Sequence, residues 1–223
     1  MKTESTRVAF TTALVEMASQ DERIVLVSSD SLKVVRGDPF LEKFPDRVFE
    51  LGIAEQNAVD VSAGLAAGGL IPFFATYAGF ITMRACEQVR TFVAYPGLDV
   101  KLVGANGGMA AGEREGVTHQ FFEDLGIMRT IPGITVVAPA DAAGVEVHTL
   151  KPLDVPAISG LLAACGTALT VEDHNVIGGL GSAIAELAAD HHPVPVRRLG
   201  LQDRYPESGD AEALLDRYGL SVA

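Results

Sequence analysis

Cysteine is nearly absent from this chain, basic residues are few, and no long apolar run interrupts it. Cys86 and Cys165 are the only cysteines among 223 residues. They lie at no metal-like spacing and form no CxxC pair. Two buried thiols in a reducing compartment are expected instead. Lys and Arg together number 17 against 29 Asp and Glu, for a formal net charge of -12. Such a surface repels nucleic acid and anionic membrane, so neither is an expected partner. Solubility is its plainest meaning, and any anionic substrate must be met by a few locally placed basic groups. The opening residues, MKTESTRVAF, lack the apolar centre of a signal peptide. No apolar stretch reaches the about 18 residues of a membrane-spanning helix. A soluble, cytoplasmic protein is expected. Internal repeats and low-complexity stretches are absent as well.

What is present is material for a large core. Hydrophobic residues make up 48% of the chain and charged residues 21%, which argues against disorder. Apolar positions recur at helical spacing over 5–18, behind a Ser/Thr start signal. IVLVSSD (24–30) reads as a buried parallel strand. The Ala-rich stretch 54–69 reads as a helix stopped by Gly68 and Gly69. A strand is expected over 70–76, an amphipathic helix over 80–95 and a strand over 98–105. A Gly-rich loop (106–118), a helix (121–131) and a strand (134–140) follow. This alternation predicts a doubly wound parallel α/β sheet. A shorter α/β pattern succeeds it: helix 154–164, strand 168–174, helix 181–190, strand 194–199, and a capped helix over 209–219 behind Asp210. The boundary is placed at 146, dividing the chain into domains 1–146 and 147–223.

Few residues declare chemistry by spacing alone. Glu55, in GIAEQN (52–57), opens a helix directly after a short strand, where ligands bind in open α/β sheets. A carboxylate favouring the helix dipole explains it equally well, and spacing alone favours that explanation. Tyr77 and Phe80, three apart, share one helical face and read by default as core aromatics. GGLGS (178–182) follows a strand and opens a helix, as a phosphate loop does.

Longer motifs change the odds. DRVFELGIAEQNAVDVSAGLAAGGLIPFFATYAGF resembles the pyrimidine-binding domain of transketolases, particularly those split over two chains. The resemblance continues through ACEQVRTFVAYPGLDVKLVGA and GVTHQFFEDLGIMRTIPGITVVAPADA. HTLKPLD and TVEDHNVIGGLGSAIAE resemble the C-terminal domain of the same family. Nearly the whole chain is covered.

The resemblance implies a thiamine-diphosphate enzyme subunit that transfers a two-carbon ketol unit from a ketose to an aldose. Glu55 takes the place of the glutamate that passes a proton to N1′ of the aminopyrimidine, so that the C2 proton can leave. That role asks for a raised pKa, supplied by an apolar pocket with no nearby cation. Tyr77 and Phe80 match the segment that stacks on the pyrimidine, with Met83 where many relatives carry another aromatic. His119, in GVTHQ, is implied to hydrogen-bond substrate hydroxyls, against the alternative of a residue capping the next helix. Glu115 stands where the family often has an Asp that reads the hydroxyl beside the carbonyl, in a loop that looks one residue longer. Arg7, in STRVAF, matches an arginine that holds a sugar phosphate, with a solvated helix-end charge as the alternative. The family uses its C-terminal domain for assembly, so GGLGS becomes a tight turn. The chain lacks the GDG-plus-Asn motif for Mg2+ and diphosphate, RGDPF (36–40) being too short a likeness. No residue here is therefore expected to ligate metal. A partner subunit carrying the diphosphate-binding domain and Mg2+ is implied, with homodimerisation inside a heterotetramer.

The pattern breaks once. PADAAGVEV (138–147) runs straight into HTLKPLD (148–154), where the family has several tens of further residues. The absent block between Val147 and His148 would have held the last strand of the first sheet and a second phosphate-binding arginine. It would also have held the opening of the C-terminal domain, so that domain is shortened and unpaired strand edges are expected. Two other functions stay open beside transketolase. One is another thiamine-diphosphate subunit, of the deoxyxylulose-phosphate-synthase or 2-oxoacid-dehydrogenase β type. The other is a truncated, non-catalytic assembly subunit.

Overall fold

A computed structural model describes residues 5–109, 115–139 and 149–221. The described chain divides into two compact units: one comprises the residues through Ala105, the other those from Asn106 onward. Local hydrogen bonds explain why the described residues from Asn106 onward group with the C-terminal segment. Gly108 N–H donates to Phe121 O at 2.8 Å, Met109 N–H to Asp173 O at 3.0 Å and Asn175 N–H to Phe122 O at 2.9 Å. The Gly-rich loop and the helix after it thus fold together with the C-terminal segment. The join at Val147 and His148 lies outside the described residues.

The first unit is a four-stranded parallel sheet in the order β2-β1-β3-β4. Its strands are β1 (Ile24–Ser28), β2 (Val48–Glu50), β3 (Ile71–Tyr77) and β4 (Lys101–Ala105). Every residue of β1 is buried, as a central parallel strand requires. Helix α1 (Thr6–Gln20) packs Leu14 and Ala18 into a core with Ile24, Leu26, Val35, Phe40 and Ala75. A short helix α2 (Asp38–Lys43) supplies Phe40. Helix α3 (Glu55–Ala67) buries Ala58, Val59, Ser62 and Ala63, small side chains that admit close packing. The expected helix over 80–95 is present but uneven. Phe80–Arg84 and Val89–Ala94 are π-helical, flanking α4 (Cys86–Gln88). Such wide turns are uncommon and occur often at functional sites.

The second unit is built on two parallel strands, β7 (Ala168–Asn175) and β8 (Val196–Leu201). Helices α6 (Val155–Cys165) and α7 (Leu180–His191) pack Ile158, Leu162, Ile184, Leu187 and Ala188 together. Met109, Phe122, Leu201 and Leu214 form a second cluster, the last from α8 (Ala211–Arg217). Asp210 caps α8 as expected, accepting from Glu212 N–H at 3.1 Å. Helix α5 spans Asp124–Thr130, shorter than read from sequence. The strand expected at 134–140 is corrected more sharply. Only Val136–Val137 (β5) is extended, and it pairs antiparallel with Thr149–Lys151 (β6) rather than joining the parallel sheet. Part of the reason is local: Lys151 Nζ donates to Arg129 O at 3.1 Å and also to Ile131 O, drawing β6 to the end of α5.

Candidate functional site

The carboxyl ends of the parallel strands in the first unit carry most of the predicted residues. Here β1 and β3 are joined by buried hydroxyls. Ser31 Oγ lies 2.8 Å from Thr76 Oγ1 and donates to Ser29 O at 3.0 Å. Glu50 Oε1 accepts from Asp30 N–H and Gly52 N–H, holding two adjacent loops whose residues Asp30 and Gly52 have φ of 53° and 69°. Glu55 is the first residue of α3 and is 2% exposed. Tyr77 closes β3, and its ring meets that of Phe80 edge-on at 5.4 Å between centroids.

One expectation fails at this place. The resemblance puts Glu55 in a pocket with no nearby cation, yet Arg84 Nη1 donates to Glu55 Oε2 at 2.8 Å. The Arg84 guanidinium also lies over the Phe80 ring, with Cζ 4.2 Å from its centroid. A guanidinium so placed donates a charge-assisted hydrogen bond to the carboxylate and gains from the ring face. Two features hold it there. The π-helical turn, in which Ala85 N–H donates to Phe80 O, brings residues 80 and 84 to one side. Gln56 Nε2 donates to Arg84 O at 3.2 Å, fixing its backbone beside the start of α3. The sequence alone does not single out Arg84, because a charge in an amphipathic helix reads as solvated. Its spacing of four from Phe80 is the available signal. Arg7, on α1, donates from Nη1 to Val34 O at 3.2 Å, and Thr11 Oγ1 donates to Val35 O at 2.9 Å, so α1 grips the 31–37 loop.

The second unit holds the other predicted residues. Glu115 is exposed and precedes a 3-10 turn over Gly116–Thr118. His119 follows, half-buried, with Thr118 Oγ1 2.9 Å from its Nδ1 and the Phe121 ring at 6.3 Å. The loop bearing His119 is braced from behind. Buried Gln120 donates from Nε2 to Glu207 O at 3.0 Å. A Cβ on Gly116, whose φ is +75°, would come within 2.5 Å of Ser208 Oγ. The motif GVTHQ presents Gln120 only as a companion of His119; its anchor, 87 residues away, leaves no local signal.

The GGLGS segment is a turn, and its would-be anion site is filled from within. Glu172 Oε2 accepts from Leu180 N–H at 2.7 Å and Oε1 from Gly181 N–H at 2.8 Å. A Cβ on Gly179 would sit 2.0 Å from Glu172 Oε2, so that glycine is required by the carboxylate. Beside it, His174 bridges two acids, with Nε2 3.2 Å from Asp124 Oδ1 and Nδ1 3.0 Å from Asp173 Oδ1. Burial alone pushes His174 down, but the hydrogen bonds to Asp124 and Asp173 outweigh it and raise the imidazole to about 10. Among the described residues no group of three or more His, Cys, Asp or Glu side chains could hold a metal ion, and no helix is long and apolar enough to cross a membrane.

Comparison with known proteins gives a consistent picture. Residues 2–151 match the transketolase pyrimidine-binding domain, and residues 140–223 the transketolase C-terminal domain. The chain is 32% identical to the 6-deoxy-6-sulfo-D-fructose transketolase subunit SqwH of Clostridium sp. (strain MSTE9), covering 94% of this chain and 88% of that one. It is 30% identical to an apulose-4-phosphate transketolase subunit of Phocaeicola vulgatus, covering 96% and 93% respectively. A solved structure described as a split gene transketolase, inactive beta4 tetramer, superposes with a TM-score of 0.82 at 31% identity, covering 97% of this chain and 93% of that one. The match to the Clostridium subunit runs over 285 aligned positions, so at least 62 of them (285 less 223) face a gap in this chain.

Proposed function

The chain belongs to the transketolase family, as a subunit of the split, thiamine-diphosphate-dependent type, and from that premise we propose that it transfers a two-carbon ketol unit from a ketose to an aldose in the cytoplasm. It does so with a partner subunit that holds the diphosphate and Mg2+. The observation that carries the reading is Glu55, a carboxylate only 2% exposed at the carboxyl edge of a parallel sheet, joined through Arg84 to the Phe80 ring, which meets that of Tyr77. A thiamine aminopyrimidine fits this set: a buried acceptor for a ring nitrogen and an aromatic face for the ring. Bound thiamine diphosphate supplies the electron sink that lets a carbon–carbon bond beside a carbonyl break.

The chain's own residues divide the rest of the work. Glu55 holds a proton at N1′ of the pyrimidine, where low exposure keeps the exchange between the two groups and away from water. Phe80 and Tyr77 orient the ring and exclude solvent. His119, its ring fixed by Thr118, hydrogen-bonds substrate hydroxyls. Glu115 sets which hydroxyl configuration is accepted, and Arg7 meets the charged end of a sugar phosphate. Self-association, here assigned to a heterotetramer, finds support in the related split transketolase only as far as its description as a beta4 tetramer, in which like chains associate. That relative is also described as inactive, which agrees with a requirement for a second kind of chain.

Calorimetry tests the division of labour. The chain alone, titrated with thiamine diphosphate and Mg2+, is expected to bind poorly and to transfer no ketol unit. Addition of a diphosphate-binding subunit should restore both. Micromolar binding by the lone chain, or turnover without a partner, would contradict the reading. A second reading, a truncated assembly subunit without catalysis, is favoured by the gap of at least 62 aligned positions (285 less 223). It predicts that the complex assembles but never turns over.

A further inference from the structure

Glu55, Phe80 and Arg84 are linked by contacts within the first unit. The guanidinium donates to Glu55 Oε2 at 2.8 Å while its Cζ lies 4.2 Å from the Phe80 ring centroid. A guanidinium is flat, cationic and edged with N–H donors. An aminopyrimidine that shares a proton with a carboxylate is also flat and presents N–H at its edge. Two flat groups cannot lie on the same face of Phe80 and address the same carboxylate oxygen at once.

The exposures show which group can give way. Glu55 is 2% exposed by side chain and Arg84 46%. The carboxylate is fixed in the core, whereas the arginine borders solvent and can leave by uncovering only the face of Phe80. Its backbone would stay in place, held by Gln56 Nε2 on Arg84 O. The pairing also answers a problem that the fold creates. An unpaired carboxylate buried this deeply is strongly disfavoured, and Arg84 supplies its counter-charge whenever no cofactor does.

We propose that Arg84 is an internal placeholder for the cofactor's pyrimidine, making both of its contacts in the cofactor-free chain and swinging into solvent when the cofactor binds. The proposal rests on the reading of Glu55 and Phe80 as the pyrimidine site. It has a quantitative consequence. Apparent affinity falls by the fraction of chains in which Arg84 has already swung out. If that fraction is about one in ten, removing the side chain tightens binding about tenfold.

The test uses the full chain combined with a diphosphate-binding partner subunit and two probes, 4-amino-2-methylpyrimidine and thiamine, titrated by NMR. In the wild type, the Arg84 guanidinium N–H signals should be protected from exchange without probe and lose that protection as the probe binds. Arg84→Ala should bind both probes about tenfold more tightly than wild type. Arg84→Met, which keeps the apolar stem, should do the same and guards against loss of folding in the alanine variant. Glu55→Gln should weaken binding in every background. Equal or weaker binding by both Arg84 variants, or Arg84 signals unmoved at saturation, overturns the placeholder and leaves the pyrimidine site standing. Binding unaffected by Glu55→Gln, or no binding in any variant, overturns the site and the placeholder together.

Discussion

The two units solve the same problem with unequal material. Strand β1 of the first unit is buried at all five positions, flanked by β2 and β3. Strand β7 of the second unit has one neighbour among the described residues and alternates, with Thr170 and Glu172 buried while Leu169 and Val171 are 60% and 55% exposed. Parallel strands are normally covered on both faces. The second unit therefore has the composition of an inner strand in the setting of an edge. It offsets the deficit with polar devices inside its own fold. Glu172 fills the turn ahead of α7, and His174 ties Asp124 to Asp173. The lesson is that packing holds the first unit, while directed charges carry more of the load in the second.

The sharpest way to break that contrast is a matched pair of truncations. Leu26→Ala in β1, at 1% exposure, should cost about 2–5 kcal/mol of stability, the usual range for a buried leucine. Val171→Ala in β7 should cost less than about 0.5 kcal/mol, as open surface positions do. Urea unfolding of each variant reads the two effects. A large loss at Val171 would mean that its face is covered after all and that the contrast is false.

A smaller effect sharpens the polar half of the contrast. The pKa of His174 in the folded chain is raised from 6.5 to about 10. A group raised on folding contributes stability that is fully present below its unfolded value and is lost as pH climbs through its folded value. The second unit should therefore weaken progressively between about pH 6.5 and pH 10. Hydrogen exchange resolved by unit, measured across that window, should show β7 and α5 opening while β1 and β3 hold. His174→Gln should flatten the dependence. An unchanged slope in that variant would remove His174 from the account.

Much of the first unit is legible in the amino-acid sequence. Helix α3 can be placed because its Ala-rich run ends at Gly68 and Gly69, and in the second unit Asp210 marks the start of α8. The buried strands β1 and β3 announce themselves as short apolar runs. What cannot be read are features that depend on partners distant in sequence. The π-helical turns at Phe80–Arg84 and Val89–Ala94 scarcely alter the apolar spacing, so 80–95 reads as an ordinary helix. ITVVAPA has the apolar content of an inner strand, but nothing in it says that Val136 will face Lys151 in an antiparallel pair. Motifs lead to the residues proposed to act, Glu55, Tyr77 and Phe80 in the first unit and His119 in the second. The arginine on Glu55 is hidden, because a lone charge in an amphipathic helix has no periodicity of its own. GGLGS stays ambiguous until Glu172 is seen to occupy its amides.

Proton–deuterium exchange at C2 of thiamine diphosphate, measured on this chain combined with a diphosphate-binding partner subunit, tests the central claim most directly. Glu55→Gln keeps the shape of the side chain but cannot pass a proton to N1′ in the same way. Its exchange should slow by about 10²–10⁴-fold, the usual worth of a general acid–base group. His119→Ala should leave the exchange largely intact while weakening use of the sugar, because His119 is proposed to address substrate rather than the pyrimidine. Exchange in Glu55→Gln as fast as in wild type would contradict the account, leaving Glu55 a buried helix-end carboxylate and the chain without its assigned part in the chemistry.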